Sequence, residues 1–228
     1  MNRTTGVLKM HFRDRWSWIF TPWIILLTSF IINYIIGLAI GGREDLYTGG
    51  IASIYIYMLV AALVTLPHTF SFMLGFSVRR KDYFFGTVLT FLVISAFTAA
   101  LLFLLSLAEK LTGAWGVNLH FFHLPYLNDG PVAEQLWTSF TLFLEMFFLG
   151  FVIASVYRRF RRSGMIVLVI AALIIFSVGG FLCTYNNWWV SIFHWIGSHT
   201  AFQLSLWLFP TVVIYIILSY LMLRRATV

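Results

Sequence analysis

The sequence predicts an all-α integral membrane protein: six transmembrane helices, an N-terminal amphipathic interface helix, and short membrane-dipping helices between spans five and six. Composition is the first observation behind this class. Of 228 residues, 61% are hydrophobic and only 10% are charged, and the mean hydropathy is +0.90. Soluble domains carry about 25% charged residues because they need a polar surface. A hydrocarbon slab instead favours apolar side chains on every face of a helix.

Six apolar runs are the second observation, because each is long enough to cross a bilayer, which takes about 20 helical residues. They form a single transmembrane domain over residues 1–228. The spans are predicted at about 19–40, 51–74, 84–107, 136–157, 165–183 and 204–223. Polar or basic stretches separate the runs, and residues 128–131 (Asn-Asp-Gly-Pro) form a strong turn signal before the fourth.

The uneven distribution of charge is the third observation. With the N-terminus inside, thirteen of the 15 Lys and Arg residues fall on the inner side, and Arg43 and Lys110 fall outside. Five of the eight acids lie outside: Glu44, Asp45, Glu109, Asp129 and Glu134. Because cytoplasmic loops carry an excess of Lys and Arg, we predict a bacterial cell membrane protein with both termini in the cytoplasm.

Two segments do not fit simple connections. Residues 7–18 mix Leu, Met, Phe and Trp with Lys, His, Arg and Asp, a pattern typical of an amphipathic helix on the inner surface. Residues 186–203 are rich in Trp and contain no charged side chain. They are too polar to span and too apolar for an aqueous loop. We therefore predict one or two short helices there that dip into the outer leaflet.

Motifs of enzymatic chemistry are missing from the chain. It has no glycine-rich phosphate loop and no His-Glu-x-x-His, and Ser77 of Gly75-Phe76-Ser77 has no adjacent base. The single cysteine, Cys183, excludes an internal disulfide and a cysteine-based metal cluster. We predict a protein that is not an enzyme and has no metal or cofactor of its own. We assign its net charge of +7 to contact with anionic membrane lipid rather than nucleic acid.

The connection between the second and third runs is short, cationic and aromatic. Residues 71–87 read SFMLGFSVRRKDYFFGT, so hardly any free loop joins the two spans. A tight basic turn that merely fixes topology has this spacing, and so does a docking surface for a partner protein. Spacing alone leaves both interpretations open.

This elbow resembles the first coupling segment of ABC transporter permeases of the type-2 exporter family. The residues that carry the resemblance are Leu74-Gly75-Phe76-Ser77, then Arg79-Arg80, then Asp82-Tyr83-Phe84-Phe85-Gly86. The plan of the whole chain is also similar. The resemblance implies a permease that pairs with a separate cytoplasmic ABC ATPase, which binds ATP and Mg, and with a second copy or a related permease.

The resemblance also implies which residues couple to the ATPase. They are Gly75, Phe76, Ser77, Arg79, Arg80, Lys81, Asp82, Tyr83 and Phe84. In this interpretation the three cations pair with acids of the ATPase or, in part, with lipid phosphate, and Tyr83 and Phe84 are aromatic anchors of the interface. A second cytoplasmic contact is implied at Arg158, Arg159, Arg161 and Arg162. The implied function is ATP-driven export of a hydrophobic or amphipathic cargo such as a peptide, drug or lipid.

Glu145 lies near the middle of the fourth run. A carboxylate at that depth costs about 2.5–3.5 kcal/mol to insert, so it should face protein or a cavity. Its candidate partners are Asn33, Thr65 and His68. Glu145, Asn33 and His68 form a possible translocation path, and a hydrogen-bonded carboxyl that holds two helices together is the alternative.

Three other functions stay open. The first is an ABC-type sensor or resistance module for envelope stress, with an ATPase partner but little flux. The second is a gradient-driven transporter or channel that uses Glu145 as a proton site. The third is a membrane enzyme that acts on lipid through His120, His123 and Glu134. The four outer histidines match no zinc spacing; they are His120, His123, His194 and His199.

Overall fold

A computed structural model describes residues 3–42, 44–128 and 130–226. Arg43 and Asp129, which the sequence analysis places on the outer side, lie outside the described residues. The elements in chain order are α1 (Arg3–Arg13), a π-helical turn (Trp16–Phe20), α2 (Thr21–Ile40), β1 (Leu46–Tyr47), α3 (Ala52–Gly75), α4 (Arg80–Leu111), a 3-10 turn (Ala114–Gly116), β2 (Leu119–His120), α5 (Val132–Tyr185), α6 (Trp188–Gly197) and α7 (Ala201–Arg224).

The described residues include five helices that are long and apolar enough to cross a membrane: Trp16–Ile40, α3, α4, α5 and α7. Each contains an 18-residue window whose mean hydropathy lies between 1.6 and 2.9. Helices suit a hydrocarbon environment because they satisfy their backbone N–H and C=O groups within the segment. The prediction of an all-α membrane protein is therefore confirmed, and four of the six predicted runs correspond to single helices.

Helix α5 differs from the two separate runs predicted for this part of the chain. It is one helix of 54 residues in which Arg161 has a non-helical conformation, with φ of 56° and ψ of −144°. At about 1.5 Å per residue it is far longer than one bilayer crossing requires. A Cβ on Gly164 would overlap with the Phe160 side chain, whereas Cβ atoms four residues apart in a regular helix are about 6 Å apart. The chain therefore bends sharply at Arg161.

The N-terminal helix is present with bounds that differ from the predicted 7–18. Helix α1 covers Arg3–Arg13. Asp14 then accepts a hydrogen bond from Ser17 N at 3.3 Å, so its side chain caps the start of the next helix. The aromatic residues that follow belong to the π-helical turn, which continues into α2. One face of α1 packs on α4, where Val7 is fully buried.

One short helix, α6, lies between α5 and α7 and is ten residues long, where the sequence predicts one or two. Its tryptophans Trp188 and Trp189 are about half exposed, which suits rings at a membrane interface. Helix α7 begins with a capping box, in which Thr200 and Gln203 exchange side chain to backbone hydrogen bonds.

The first half of α5 packs against both α3 and α7 at the centre of the bundle. Aromatic side chains fill this core: Phe91 of α4 stacks on Phe147 with ring centroids 4.5 Å apart, and Trp18 packs against both rings. Gly150 brings α5 close to α3, because a Cβ there would overlap with the carbonyl oxygen of Leu59. Small residues at such crossings let helix backbones approach each other within a membrane.

The bundle has two chemically different ends. At the elbow end, α1, the α3–α4 connection, the bend of α5 and the last turn of α7 come together. At the cap end, the loops after α2 and α4 pair through the parallel strands β1 and β2, with Leu46 opposite Leu119 and Tyr47 opposite His120. The basic segments that the sequence assigns to one side of the membrane thus lie together at the elbow end.

Candidate functional site

The connection between α3 and α4 consists of residues 76–79, at the centre of the elbow, which covers residues 71–87. Helix α3 ends in a Schellman motif, in which Val78 N donates to Met73 O at 3.2 Å and Ser77 N donates to Leu74 O at 3.0 Å. Ser77 has a φ of 57°, a left-handed conformation that glycine usually adopts at this position. The connection is therefore a compact turn with its own hydrogen bonds rather than a free loop.

Three arginines tie the elbow to other helices. Arg3 of α1 donates from Nη1 to Ser77 O at 2.9 Å, and Arg80 donates from Nη1 to Arg224 O, at the end of α7, at 3.0 Å. Arg158 of α5 donates to a serine hydroxyl near the end of α3 at 2.7 Å. These hydrogen bonds connect the elbow to α1, α5 and α7.

Tyr83 and Phe84 lie inside the protein, although the sequence analysis assigns them to a partner interface. Tyr83 is fully buried, and its hydroxyl lies 2.6 Å from Thr69 Oγ1 of α3. Phe84 is 3% exposed and packs against Phe151 and Tyr220. At the start of α4 these two positions face the neighbouring helices, so the assignment is corrected: both are core residues of this chain.

The exposed side chains at the elbow include Phe72, Phe76, Ser77, Arg79, Lys81 and Phe85. Phe76 is 67% exposed, and its ring contacts that of Phe72 edge to face at 4.9 Å. Aromatic side chains, Phe among them, are enriched in the cores of protein interfaces. The exposed aromatic side chains of the elbow include Phe72, Phe76 and Phe85, whereas Tyr83 and Phe84 are buried.

A groove of about 680 Å³ lies beside these rings, between α1 and the end of α3. Its lining includes Lys9, Arg13, Phe72, Met73 and Phe76. Asp14 also lines the groove, so it combines a net positive charge, from Lys9 and Arg13 against Asp14, with aromatic surface. Sequence reasoning missed it because α1 and α3 are far apart in the chain and meet only in the folded bundle.

Gly75 and Asp82 lie at the two helix ends that flank the α3–α4 connection. The position of a Cβ on Gly75 has no neighbouring atom within 4 Å, so packing does not require glycine there. Asp82 lies in the first turn of α4, where a carboxylate interacts favourably with the helix dipole. Asp82 therefore stabilises the start of the helix that follows the elbow.

The four arginines at the bend of α5 divide into two pairs according to what surrounds them. Arg158 donates to Ser71 Oγ at 2.7 Å, and Arg159 donates to a methionine sulfur of α7 at 3.8 Å. Arg161 and Arg162 are exposed. The first pair contacts this chain, and the second pair is accessible to a partner or to lipid phosphate.

Glu145 faces α7, where its Oε2 accepts a hydrogen bond from Thr211 Oγ1 at 2.8 Å. Asn33 and Thr65 donate to carbonyl oxygens of their own helices, and His68 is exposed. Within the described residues, none of these three hydrogen-bonds to Glu145. The predicted partners are therefore replaced by Thr211, because this face of α5 packs on α7.

Glu109 organises the cap end. It is 1% exposed, and its carboxylate accepts hydrogen bonds from Trp115 Nε1 at 3.0 Å and from the backbone N–H groups of Phe121, Phe122 and His123 at 2.8 to 3.2 Å. These bonds satisfy the buried charge and hold the loop over the end of α4. Sequence reasoning missed this role because a single acid near the end of a span does not indicate which N–H groups will meet it.

His120 and His123 have different partners at the cap end. His120 approaches Glu109 Oε1 at 3.8 Å and Asp45 Oδ1 at 4.0 Å. Nδ1 of His123 lies 3.0 Å from Ser106 Oγ. Across residues 3–42, 44–128 and 130–226, no three His, Cys, Asp or Glu side chains come together as potential metal ligands.

The remaining outer residues of the sequence analysis lie apart from these two. His194 is in α6, and His199 follows it, with its ring centroid 4.5 Å from that of Trp195. Glu134 is in the first turn of α5. None of the hydrogen bonds among the described residues joins Glu134 to His120 or His123.

Comparison with known protein families, with curated proteins and with solved structures finds no match to this chain. The functional assignment therefore depends on the elbow pattern in the sequence and on the contacts that the elbow makes in the folded chain.

Proposed function

We propose that this chain is the transmembrane permease subunit of an ATP-driven exporter that works with a separate cytoplasmic ATPase. Two permeases, identical or related, form the transport path. Each crosses the bacterial cell membrane six times, because α5 crosses once on either side of Arg161. The ATPase binds ATP and Mg, and this chain supplies the path and the coupling contacts.

The charge distribution supports an elbow end that faces the cytoplasm. Basic side chains of α1, the elbow, the α5 bend and the end of α7 lie at this end, whereas Lys110 lies at the cap end. Lys and Arg are retained on the cytoplasmic side during insertion. Both termini are then cytoplasmic, which agrees with an even number of crossings.

The contacts of the elbow are the observation that carries the proposal. On one side the elbow exposes Phe76, Arg79 and Lys81. On the other side it is hydrogen-bonded to α1 and α7, and α5 holds the end of α3 just before it. A partner that pushes on the exposed side therefore moves several helices as a unit. Rigid-body motion of this kind converts a local event into a rearrangement of the whole bundle.

The cargo in this proposal is hydrophobic or amphipathic, such as a peptide, a drug or a lipid. The apolar interior of the bundle offers few charges to an ionic solute. Glu145 is one acid within the spans, and its carboxylate is hydrogen-bonded to Thr211. A charged solute that needs several ionic contacts is therefore disfavoured.

Purification through a C-terminal tag from native membranes, in mild detergent, tests the proposal. We expect a nucleotide-binding subunit in a 1:1 ratio to co-purify, with ATP hydrolysis in the eluate. Phe76→Ala combined with Lys81→Glu should release that subunit. The matched control is Phe176→Ala combined with Lys110→Gln, which alters an exposed Phe and a Lys away from the elbow and should leave the complex intact.

The alternatives give different results in the same preparation. An eluate without a nucleotide-binding subunit contradicts the proposal and favours a gradient-driven transporter, which a proton-gradient assay on Glu145→Gln vesicles would then examine. An ATPase complex that moves no labelled amphiphile across reconstituted vesicles favours the sensor or resistance module. ATP-dependent accumulation that is lost with the elbow variant supports the exporter.

A further inference from the structure

Two cavities, of about 430 and 450 Å³, lie one after the other along one face of α4 where the start of α5 packs against it. Together they are called the groove. Their linings follow each other on α4 from Ala96 to Lys110 at helical spacing, and they interleave at the start of α5, where Val132 lines one and Ala133 the other. The groove therefore extends from the cap end into the membrane-spanning part of the bundle.

The deeper half of the groove is apolar and is lined by small residues of α4. Ala96, Ala99 and Ala100 form one wall, and Leu136 and Phe140 belong to the other. Larger side chains at the alanine positions would fill the space that is now open. This half therefore suits a hydrocarbon chain.

The half of the groove at the cap end is polar, and its lining includes Lys110, His123, Asn128 and Gln135. Phe103 lies deeper in the same half, where polar surface gives way to apolar surface. A groove that changes from polar to apolar along its length matches an amphiphile rather than a uniformly polar or uniformly apolar molecule.

A hydrogen-bond network positions His123. Asn128 Nδ2 donates to Ser106 Oγ at 2.9 Å, and Ser106 Oγ lies 3.0 Å from His123 Nδ1. The network orients the His123 ring, which lines the polar half of the groove together with Lys110.

Three of the described acids lie near the polar half. Glu109, next to Lys110, accepts its N–H donors and is 1% exposed. Asp45 faces His120 at 4.0 Å in the neighbouring cavity, which Lys110 and His123 also line. Glu134 lies beside Gly130 at the rim and does not line the groove. Among the described residues that line the groove, Lys110 is the charged one.

Trp137 forms part of the wall deeper in the groove, where its ring lines the apolar cavity.

We propose that this groove binds one acyl chain and the phosphate headgroup of an anionic glycerophospholipid. The phosphate contacts Lys110 and His123, and the chain lies along Ala96 and Ala100. The distance from Lys110 to Ala96 along α4 is about 21 Å at 1.5 Å per residue. Half the thickness of a bilayer with its headgroups is about 20–22 Å, so the groove matches one leaflet. Binding of this lipid needs no nucleotide and no ATPase.

Native mass spectrometry of delipidated protein tests this proposal with phosphatidylglycerol and phosphatidylcholine as probes. We expect long-chain phosphatidylglycerol to be retained at one molecule per chain, at least fivefold over phosphatidylcholine. Short-chain phosphatidylglycerol and inorganic phosphate should not displace it. Displacement by phosphate alone, or equal retention of the short-chain lipid, would overturn the acyl-chain assignment.

Two variants with matched controls test the contacts. Ala100→Phe should fill the tail region and lower retention at least fivefold, whereas Leu104→Phe, at an exposed position of the same helix, should not. Lys110→Gln should remove the preference for the anionic headgroup, whereas Lys81→Gln at the elbow end should preserve it. Equal retention in Ala100→Phe and Leu104→Phe, with unchanged melting temperatures, would refute the groove as the binding site.

Discussion

Arg80, at the start of α4, donates a hydrogen bond from Nη1 to the carbonyl oxygen of Arg224, at the end of α7, at 3.0 Å. The last carbonyls of a helix have no partner within the helix, and a cation there also interacts favourably with the helix dipole. Arg80 thus joins two helices through a bond between residues that are 144 positions apart in the chain. The sequence pattern assigns this residue to an external partner, whereas the fold gives it an internal contact as well.

This contact predicts that Arg80→Ala weakens coupling more than partner binding. The bond is partly exposed, so its loss should lower the free energy of unfolding by about 1 kcal/mol or less. We expect the ATPase to co-purify while ATP-driven transport decreases. Lys81→Ala should leave the unfolding free energy unchanged. Release of the ATPase by Arg80→Ala at unchanged stability would show that Arg80 contacts the partner directly.

Glu109→Gln should open the cap end. The carboxylate accepts only N–H donors, and an amide in its place turns an NH2 group toward some of those donors. A buried donor without an acceptor costs about 1–3 kcal/mol, so we expect a loss of about 2–3 kcal/mol and faster proteolysis within residues 112–131. Glu134→Gln, in the first turn of α5, serves as the control. Equal proteolysis of Glu109→Gln and the wild type would contradict this role.

Gly150→Ala should destabilise the bundle because its Cβ would overlap with the backbone of α3 at Leu59. Overpacking in a tight core costs about 1–3 kcal/mol, and a backbone atom cannot rotate away as a side chain can. Gly179→Ala is the matched control, since no atom lies within 4 Å of its Cβ position, and it should be neutral or slightly stabilising. Unfolding in mixed micelles measures both. A Gly150→Ala protein as stable as Gly179→Ala would exclude the close helix crossing.

Docking of α1 should depend on pH through His11. Burial lowers the pKa of His11 from 6.5 to about 4, although nearby Asp14 opposes this shift. His11 is 2% exposed and lies 3.2 Å from Thr87 Oγ1 of α4. A docked helix whose histidine has a lowered pKa binds fewer protons than the undocked helix. The contribution of neutral His11 to the free energy that docks α1 is therefore fully present above pH 6.5. It decreases by about 3 kcal/mol in total as the pH falls toward 4.

Spin labels measure this docking independently of proton chemistry. In a Cys183→Ser background, labels at Lys9→Cys and Phe85→Cys should report a longer and broader distance distribution at pH 4 than at pH 7.5. Adding His11→Phe should keep the distance short at both values. A wild-type distance that does not change with pH would show that His11 protonation does not release α1.

Membrane class, four of the long helices and the position of the elbow are determined by the sequence alone. Each follows from local chemistry: an apolar run of sufficient length must satisfy its backbone internally. A short basic stretch between two such runs must be a turn at the membrane surface. The bounds of α3 and α7 are close to those predicted because the residues that flank them are themselves polar or basic.

Only the tertiary structure decides which side chains near the elbow are available to a partner. Tyr83 and Phe84 carry the same aromatic signal in the sequence as Phe72 and Phe76, but packing of α4 buries the first pair and leaves the second pair exposed. Burial depends on which helices approach, and close approach at positions such as Gly150 is a long-range property.

The cap end shows the same division. The sequence does not predict the contacts among Glu109, Ser106, His123 and Asn128, because these partners lie 14 to 22 positions apart and meet through loop geometry. Hydropathy and charge are sums over neighbouring residues, so the sequence alone determined four of the long helices and the approximate ends of α3 and α7. Hydrogen bonds and cavities depend on groups that meet only when the helices pack, so the tertiary structure decided the sites.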